Sequence, residues 1–207
     1  MTQIERIEAS GGQRRRVLVY LTDGACLKIT EQELLDFGLH AGDELDEETL
    51  KRLKDAAGVS NVKANAADLI GKRAMSRRDL ERKLQDRGAS ETEARYAAEW
   101  MEAIGAINDA DYAVLLEQHC ARQGYGPARV REKLYEKGVP RELWDDALDS
   151  LPDPAESIDR FLEHKLRGNP LDEKEKKRLS DALLRRGFSW SDIKAGLNRL
   201  GADLWED

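Results

Sequence analysis

The side chains able to do covalent or metal chemistry are few and scattered. Histidines stand at His40, His119 and His164, and cysteines at Cys26 and Cys120. Cys120 beside His119 makes one pair with no second pair at zinc spacing, so no metal centre is expected. No nucleophile-elbow pattern of glycines frames a serine. The segment Gly124-Tyr125-Gly126 lacks the lysine and the preceding strand of a phosphate-cradling loop. Adjacent carboxylates such as Asp145 and Asp146 lie in a charged helical run, where hydration accounts for them. With no convergent set of groups, the sequence predicts a protein that is not an enzyme and takes no cofactor and no metal.

What the sequence does offer is charge arranged in blocks. Residues 77–87 hold five basic and three acidic side chains, 127–137 four and two, and 174–186 six and two. Residues 89–104 and 139–151 are each acidic, with one basic side chain against four acidic. One reading is a segregated surface that recognises a partner through Arg77, Arg78, Arg82, Lys83, Arg129, Arg131, Lys133, Lys177, Arg178 and Arg185. The other is solvation plus helix-dipole matching, since Arg87, Lys137 and Arg186 fall at helix C-termini. Tyr125 is a further contact candidate, because tyrosine joins an apolar ring to a polar tip; packing on its own core is the alternative. Trp100, Trp144, Trp190 and Trp205 recur on or near one helix type and are expected in the core. Base stacking would need them exposed in a basic groove, and only Trp205, close to the chain end, invites that role.

The elements that carry these residues come from one segment stated three times: DLERKLQDRGAS at 79–90, RVREKLYEKGVP at 129–140 and RLSDALLRRGFS at 178–189. Apolar residues four apart lie on one helix face, and a glycine follows four later. The triplets are Leu80, Leu84, Gly88; Val130, Leu134, Gly138; and Leu179, Leu183, Gly187. The glycines lie 50 and 49 residues apart, a period that marks stacked supersecondary units. Glycine accepts the left-handed conformation that ends a helix, and the apolar residue after it (Ala89, Val139, Phe188) meets the leucine four before it. A new start follows each stop: Ser90 with Glu93 forms a capping-box pair, Pro140 suits a first turn, and Ser189 precedes Ile193.

The predicted helices are 64–74, 77–87 and 91–104; then 109–123, 127–137 and 141–151; then 155–167, 172–186 and 190–200. Asn108-Asp109 is expected as an N-cap, with Tyr112 and Ala113 packing inward. Strand signals are confined to the first 29 residues: alternation over 4–7, and 17–21 and 25–29 flanking Asp23-Gly24, with Gly11-Gly12 as another turn. Thr30 and Glu33 then open a short helix stopped by Gly38, and Asp46 opens a second one expected to stop near Gly58. The expected organisation is a β-hairpin and short-helix module over 1–62, then three-helix repeats over 63–106, 107–152 and 153–207. The fold class is mostly α, with tandem three-helix repeats forming an elongated, curved body.

The net charge of −7 argues against a protein that coats nucleic acid through bulk positive charge. Two isolated cysteines and no secretory apolar region point to a reducing cytoplasm. No apolar run approaches the roughly eighteen residues of a membrane span.

In order and spacing, these residues resemble the RecX family of bacterial RecA regulators. The resemblance rests on Ser76-Arg77-Arg78-Asp79-Leu80-Glu81-Arg82-Lys83-Leu84 with Gly88, on Ile107-Asn108-Asp109-Ala110-Asp111-Tyr112-Ala113, and on Gly126-Pro127-Ala128-Arg129-Val130-Arg131-Glu132-Lys133-Leu134 with Lys137-Gly138-Val139. The third repeat is the loosest match, lacking the Asn-Asp-x-x-Tyr-Ala run. The resemblance implies a non-catalytic protein that lies in the groove of the RecA–DNA filament and bridges neighbouring protomers; a monomer with at most weak direct DNA contact is expected. It further implies inhibition of ATP hydrolysis, strand exchange and filament extension. A helical-repeat module that binds single- or double-stranded nucleic acid directly is the alternative, and a scaffold for some other protein is a third reading.

Overall fold

A computed structural model describes residues 2–11, 16–166 and 171–203. The turn expected at Gly11-Gly12 and the role considered for Trp205 fall wholly or partly outside the described residues. By contact the chain divides into two compact units. One takes the residues up to Ala74 together with Asp79–Ile107, the other Met75–Arg78 with the chain from Asn108 onward.

The first unit opens with three antiparallel strands, β1 (Thr2–Ala9), β2 (Arg16–Leu21) and β3 (Cys26–Thr30). A short fourth strand, β4 (Glu44–Leu45), pairs with β1 and gives the order β3-β2-β1-β4. Two residues carry too little alternation to mark a strand in sequence. Between β3 and β4 lies α1 (Glu31–Asp36), closed at its start by the Thr30–Glu33 capping box. Alternation buries Ile4, Val17, Val19, Leu21 and Ile29 on one sheet face, against Leu53 and Ala57 of the next helix.

That helix, α2 (Glu47–Lys72), corrects the expected stop near Gly58: it runs through as one 26-residue element. Its buried positions, Leu53, Ala57, Val62, Ala66 and Leu69, continue past the glycine at helical spacing, so the apolar stripe never breaks. α2 packs on β3 at one end and on α4 (Glu91–Ala103) at the other, with α3 (Arg77–Gln85) between them in sequence. Arg16, buried in β2, ties sheet to helix through hydrogen bonds to Ser60 Oγ (2.9 Å) and to the Ser60 carbonyl (2.7 Å).

The second unit holds α5 (Asp109–Arg122), α6 (Pro127–Glu136), a 3-10 turn (Arg141–Leu143) running into α7 (Trp144–Asp149), then α8 (Pro154–Leu166), α9 (Glu173–Arg185) and α10 (Trp190–Asp203). Each of its two repeats has a core of its own. One is built on Leu116, Cys120, Val130, Leu134 and Val139, the other on Ile158, Leu162, Leu179, Leu183, Phe188 and Ile193.

The glycine stops are formed as the spacing predicts. Gly88, Gly138 and Gly187 have φ of 93°, 69° and 87°. The amide after each donates to the carbonyl of the leucine five residues back: Ala89 to Leu84 (3.0 Å), Val139 to Leu134 (3.0 Å) and Phe188 to Leu183 (3.2 Å). With the glycine amides donating to Gln85, Tyr135 and Leu184, this is the Schellman pair of bonds in all three repeats.

Candidate partner-binding surface

The glycine stops do more than end helices. In the second unit the start of one repeat's middle helix sits on the stop of the following repeat. Ser76 Oγ donates to the Lys137 carbonyl (2.5 Å), and a Cβ placed on Gly138 would lie 2.9 Å from Arg78 Cβ. One repeat further on, the Gly126 amide donates to the Arg186 carbonyl (2.8 Å) and the Ala128 amide to the Gly187 carbonyl (3.1 Å). Ser76 and Gly126 stand the same twelve residues before Gly88 and Gly138, so this is one joint made twice. Arg186 fastens it from the other side, donating to the Gln123 carbonyl (2.7 Å) with its guanidinium 4.8 Å from the Phe161 ring centre.

The basic side chains singled out in the sequence then separate by what they touch. Arg82 and Lys83 both pair with Asp79, which is buried, and Arg73 reaches the same carboxylate at 3.8 Å. Arg129 pairs with Glu132, Lys133 with Glu136 at 2.6 Å, and Arg178 with Glu175 at 2.8 Å. Those hydrogen bonds raise the Arg129 pKa and lower that of the Glu136 carboxyl. The Arg77 amide is capped by Asp109 Oδ1 (2.8 Å), and the stem of Arg78 lies at the joint. Arg131, Lys177 and Arg185 are exposed and have no ion pair among the described residues. The basic positions also fail to repeat in register. Five residues before the three glycines stand Lys83, Lys133 and Ala182.

The aromatic candidates divide likewise. Tyr125 is half-buried against the core of its own repeat. Trp144 is held by a hydrogen bond from Nε1 to the Val139 carbonyl (2.9 Å), and Trp100 packs under Lys63. Trp190 departs from its expected core position: it opens α10 with 58% of its surface exposed. As first residue of the helix it precedes the inward stripe that begins at Ile193. Asn108 caps α5 as expected, accepting from the amides of Ala110 and Asp111 (3.0 and 3.3 Å).

One feature had no sequence signal. α5 and the segment 143–150 enclose a groove of about 280 Å³, lined by Ala110, Ala113, Val114, Glu117 and Gln118 on one side and Leu143, Asp146, Ala147 and Ser150 on the other. Glu117 is 7% exposed, and burial pushes its carboxyl pKa up against the opposing influence of Arg122. A glutamate followed by glutamine on a helix with charged residues reads in sequence as a surface residue; the three alanines were the sole hint that the helices leave space there.

Residues 108–148 match the second three-helix domain of RecX and residues 153–197 the third. A regulatory protein RecX from Pseudomonas entomophila is 32% identical over 147 residues, covering 70% of this chain and 94% of the relative. One from Pseudomonas fluorescens is 34% identical over 145 residues, covering 69% and 92%. One from Clostridium tetani aligns over 97% of this chain and 95% of its own length at 22% identity. A crystal structure of a regulatory protein RecX superposes with a TM-score of 0.66 over 96% of this chain and 100% of the other, at 22% identity. RecX from Lactobacillus salivarius gives 0.62 over 71% and 99%, also at 22% identity.

Proposed function

The chain belongs to the RecX family, and on that premise we propose that it is a non-catalytic negative regulator of RecA. It binds in the groove of the RecA–DNA filament and slows ATP hydrolysis, strand exchange and filament extension. The observation that carries this reading is the joint between repeats. Within the second unit, a helix start locked on the next repeat's glycine stop joins the second and third repeats, and weak contacts on joined repeats give avidity without a strong site. The surface left for a partner is narrower than the full basic series, because Arg82, Lys83, Arg129, Lys133 and Arg178 already hold acidic partners within the chain. Among the described residues of that series, Arg131, Lys177 and Arg185 have no ion pair and can meet phosphates or carboxylates of a filament.

The direct test is DNA-dependent ATP hydrolysis by RecA, which this protein is expected to slow at substoichiometric amounts. An unchanged rate at equimolar protein would overturn the proposal. Reversing charge at Arg131, Lys177 and Arg185 together is expected to weaken inhibition several-fold at unchanged helicity by circular dichroism. Retained potency would remove those three cations from the contact.

A further inference from the structure

We propose that the groove between α5 and α7 receives an arginine side chain of the protein partner, whose guanidinium pairs with Glu117 and Asp146. Four observations carry it. Glu117 is more than nine-tenths buried, lines the groove and has no hydrogen bond or ion pair among the described residues. No buried side-chain oxygen among the described residues lacks a hydrogen bond, so the Glu117 carboxylate keeps a narrow contact with water at the groove it lines, and a cation entering there meets a carboxylate already largely desolvated. Asp146 faces the same space from the opposite wall, so a planar fork of donors meets acceptors on both sides. Between them, Ala110, Ala113, Val114, Leu143 and Ala147 make an apolar channel suited to a methylene stem. At about 280 Å³ the space is at the lower edge of the range of small-molecule sites, about 300–1,000 Å³, and has room for one side chain.

The neighbouring repeat shows what the same helix pair looks like when closed. Nine residues after the glycine stops stand Ala147 in one repeat and Gly196 in the next. At Gly196 the helices come so close that an added Cβ would lie 2.5 Å from Ile158 Cγ2. Counted from their helix starts, Ile158 is the fifth residue of α8 as Ala113 is of α5, so an isoleucine packs on Gly196 where the second repeat has Ala113 and Ala147. Four residues beyond Ala113 is Glu117; four beyond Ile158 is Leu162, fully buried in an apolar core. The second repeat therefore carries small residues and a carboxylate where the third carries an aliphatic seal.

The chemistry of the groove names an arginine; that the arginine belongs to a RecA protomer rests on the reading given above. Two measurements keep these claims apart. In the first, the full chain and its Glu117→Gln and Ala110→Phe variants are titrated onto RecA filaments on single-stranded DNA. Ala110 is exposed at the groove, so phenylalanine obstructs entry without entering the core. Both variants are expected to bind at least tenfold more weakly with unchanged helicity. In the second, backbone amide NMR of the isolated chain is followed on adding N-acetyl-arginine methylamide, with the neutral citrulline analogue as control. Shifts are expected within 110–118 and 143–150, from arginine alone, and to be lost in Glu117→Gln. Filament binding that survives both substitutions overturns the groove while leaving the RecA reading intact. No filament binding by the unmodified chain, with arginine shifts present, overturns the RecA partner and keeps the groove. Equal shifts from arginine and citrulline, or none from either, overturn the groove. The lysine analogue is added in a parallel titration, and equal or larger shifts from it overturn the assignment to arginine.

Discussion

Among single residues, Glu117 is the one whose environment and chemistry disagree. Burial disfavours its charged form and raises its pKa above that of an unfolded glutamate, with Arg122 partly offsetting this. Between the unfolded and the folded pKa the native state binds the proton more tightly. Its stability therefore falls as pH rises through that window and stays at the lower level above it. Glu117→Gln, which keeps the shape and removes the charge, is expected to raise the melting temperature at pH 7 to 8. That gain should shrink as pH is lowered toward 4, measured by thermal denaturation at each pH. A gain independent of pH would assign the effect to packing instead of charge. How much of this was legible in sequence depends on locality. The stops at Gly88, Gly138 and Gly187 were readable because each is complete within ten residues, while Glu117 was not, because its burial is set by the segment 143–150 packed across the groove from it. Asp109 was read with Asn108 as part of a cap for its own helix, yet its carboxylate caps the Arg77 amide 32 residues away. The list of basic contact residues was readable as composition only. Which of them is committed to a carboxylate follows from rotamers and neighbours, as the gathering of Arg73, Arg82 and Lys83 around buried Asp79 shows.

Element boundaries follow the same distinction. Gly58 reads like a stop, since a glycine after an apolar run resembles the three true ones, yet α2 passes through it. What comes next is alike, since Val59-Ser60 matches Ala89-Ser90 and Phe188-Ser189; the difference lies before the glycine, where Lys54 stands in the place of Leu84, Leu134 and Leu183. Val59 has no leucine to fold back on and stays exposed, Ser60 Oγ donates to the Ala57 carbonyl (3.2 Å), and the buried stripe runs on to Val62. Gly58 is not among the glycines of positive φ, and a Cβ there would meet only Glu93 Oε1 at 3.1 Å, the movable end of a side chain. Gly58→Ala is therefore expected to stabilise the protein by up to about 1 kcal/mol through helix propensity, read from urea denaturation. A loss of 1 kcal/mol or more would place a left-handed stop at that position. The last repeat shows how a repeating element ends. Where Ser76 and Gly126 offer a donor to the next repeat's stop, the equivalent residue twelve before Gly187 is Glu175, already inside α9. Its amide is taken by the Asp172 side chain at 2.7 Å, behind a first turn of alternating charges. The third repeat therefore has a charged turn where the first two carry the joint donor.

For the molecule taken whole, stability is shared between neighbours and has no single centre. The second and third repeats have separate cores, and between them run the joint bonds Gly126 to Arg186, Ala128 to Gly187 and Arg186 to Gln123. Net hydrogen-bond contributions are about 1 kcal/mol each, so the coupling is a few kcal/mol at most and breakable at one residue. Gly187 is that residue. It has φ of 87°, and a side chain there would collide with the Arg129 backbone. Gly88, at φ 93°, has nothing within 4 Å of an added Cβ. Gly88→Ala should then lose only the left-handed backbone preference, about 1–2 kcal/mol. Gly187→Ala should lose that plus an overpacking term of about 1–3 kcal/mol, with the joint forced open. Hydrogen exchange locates the difference. In Gly187→Ala the amides of α8, α9 and α10 should exchange faster while those of α5 and α6 keep most of their protection, because their core is complete without the joint. In Gly88→Ala the second unit should keep its exchange rates. Equal acceleration across α5 to α10 in Gly187→Ala would mean that the two repeats open as one body. A single cooperative block would then replace the nearest-neighbour coupling that the twice-made joint implies.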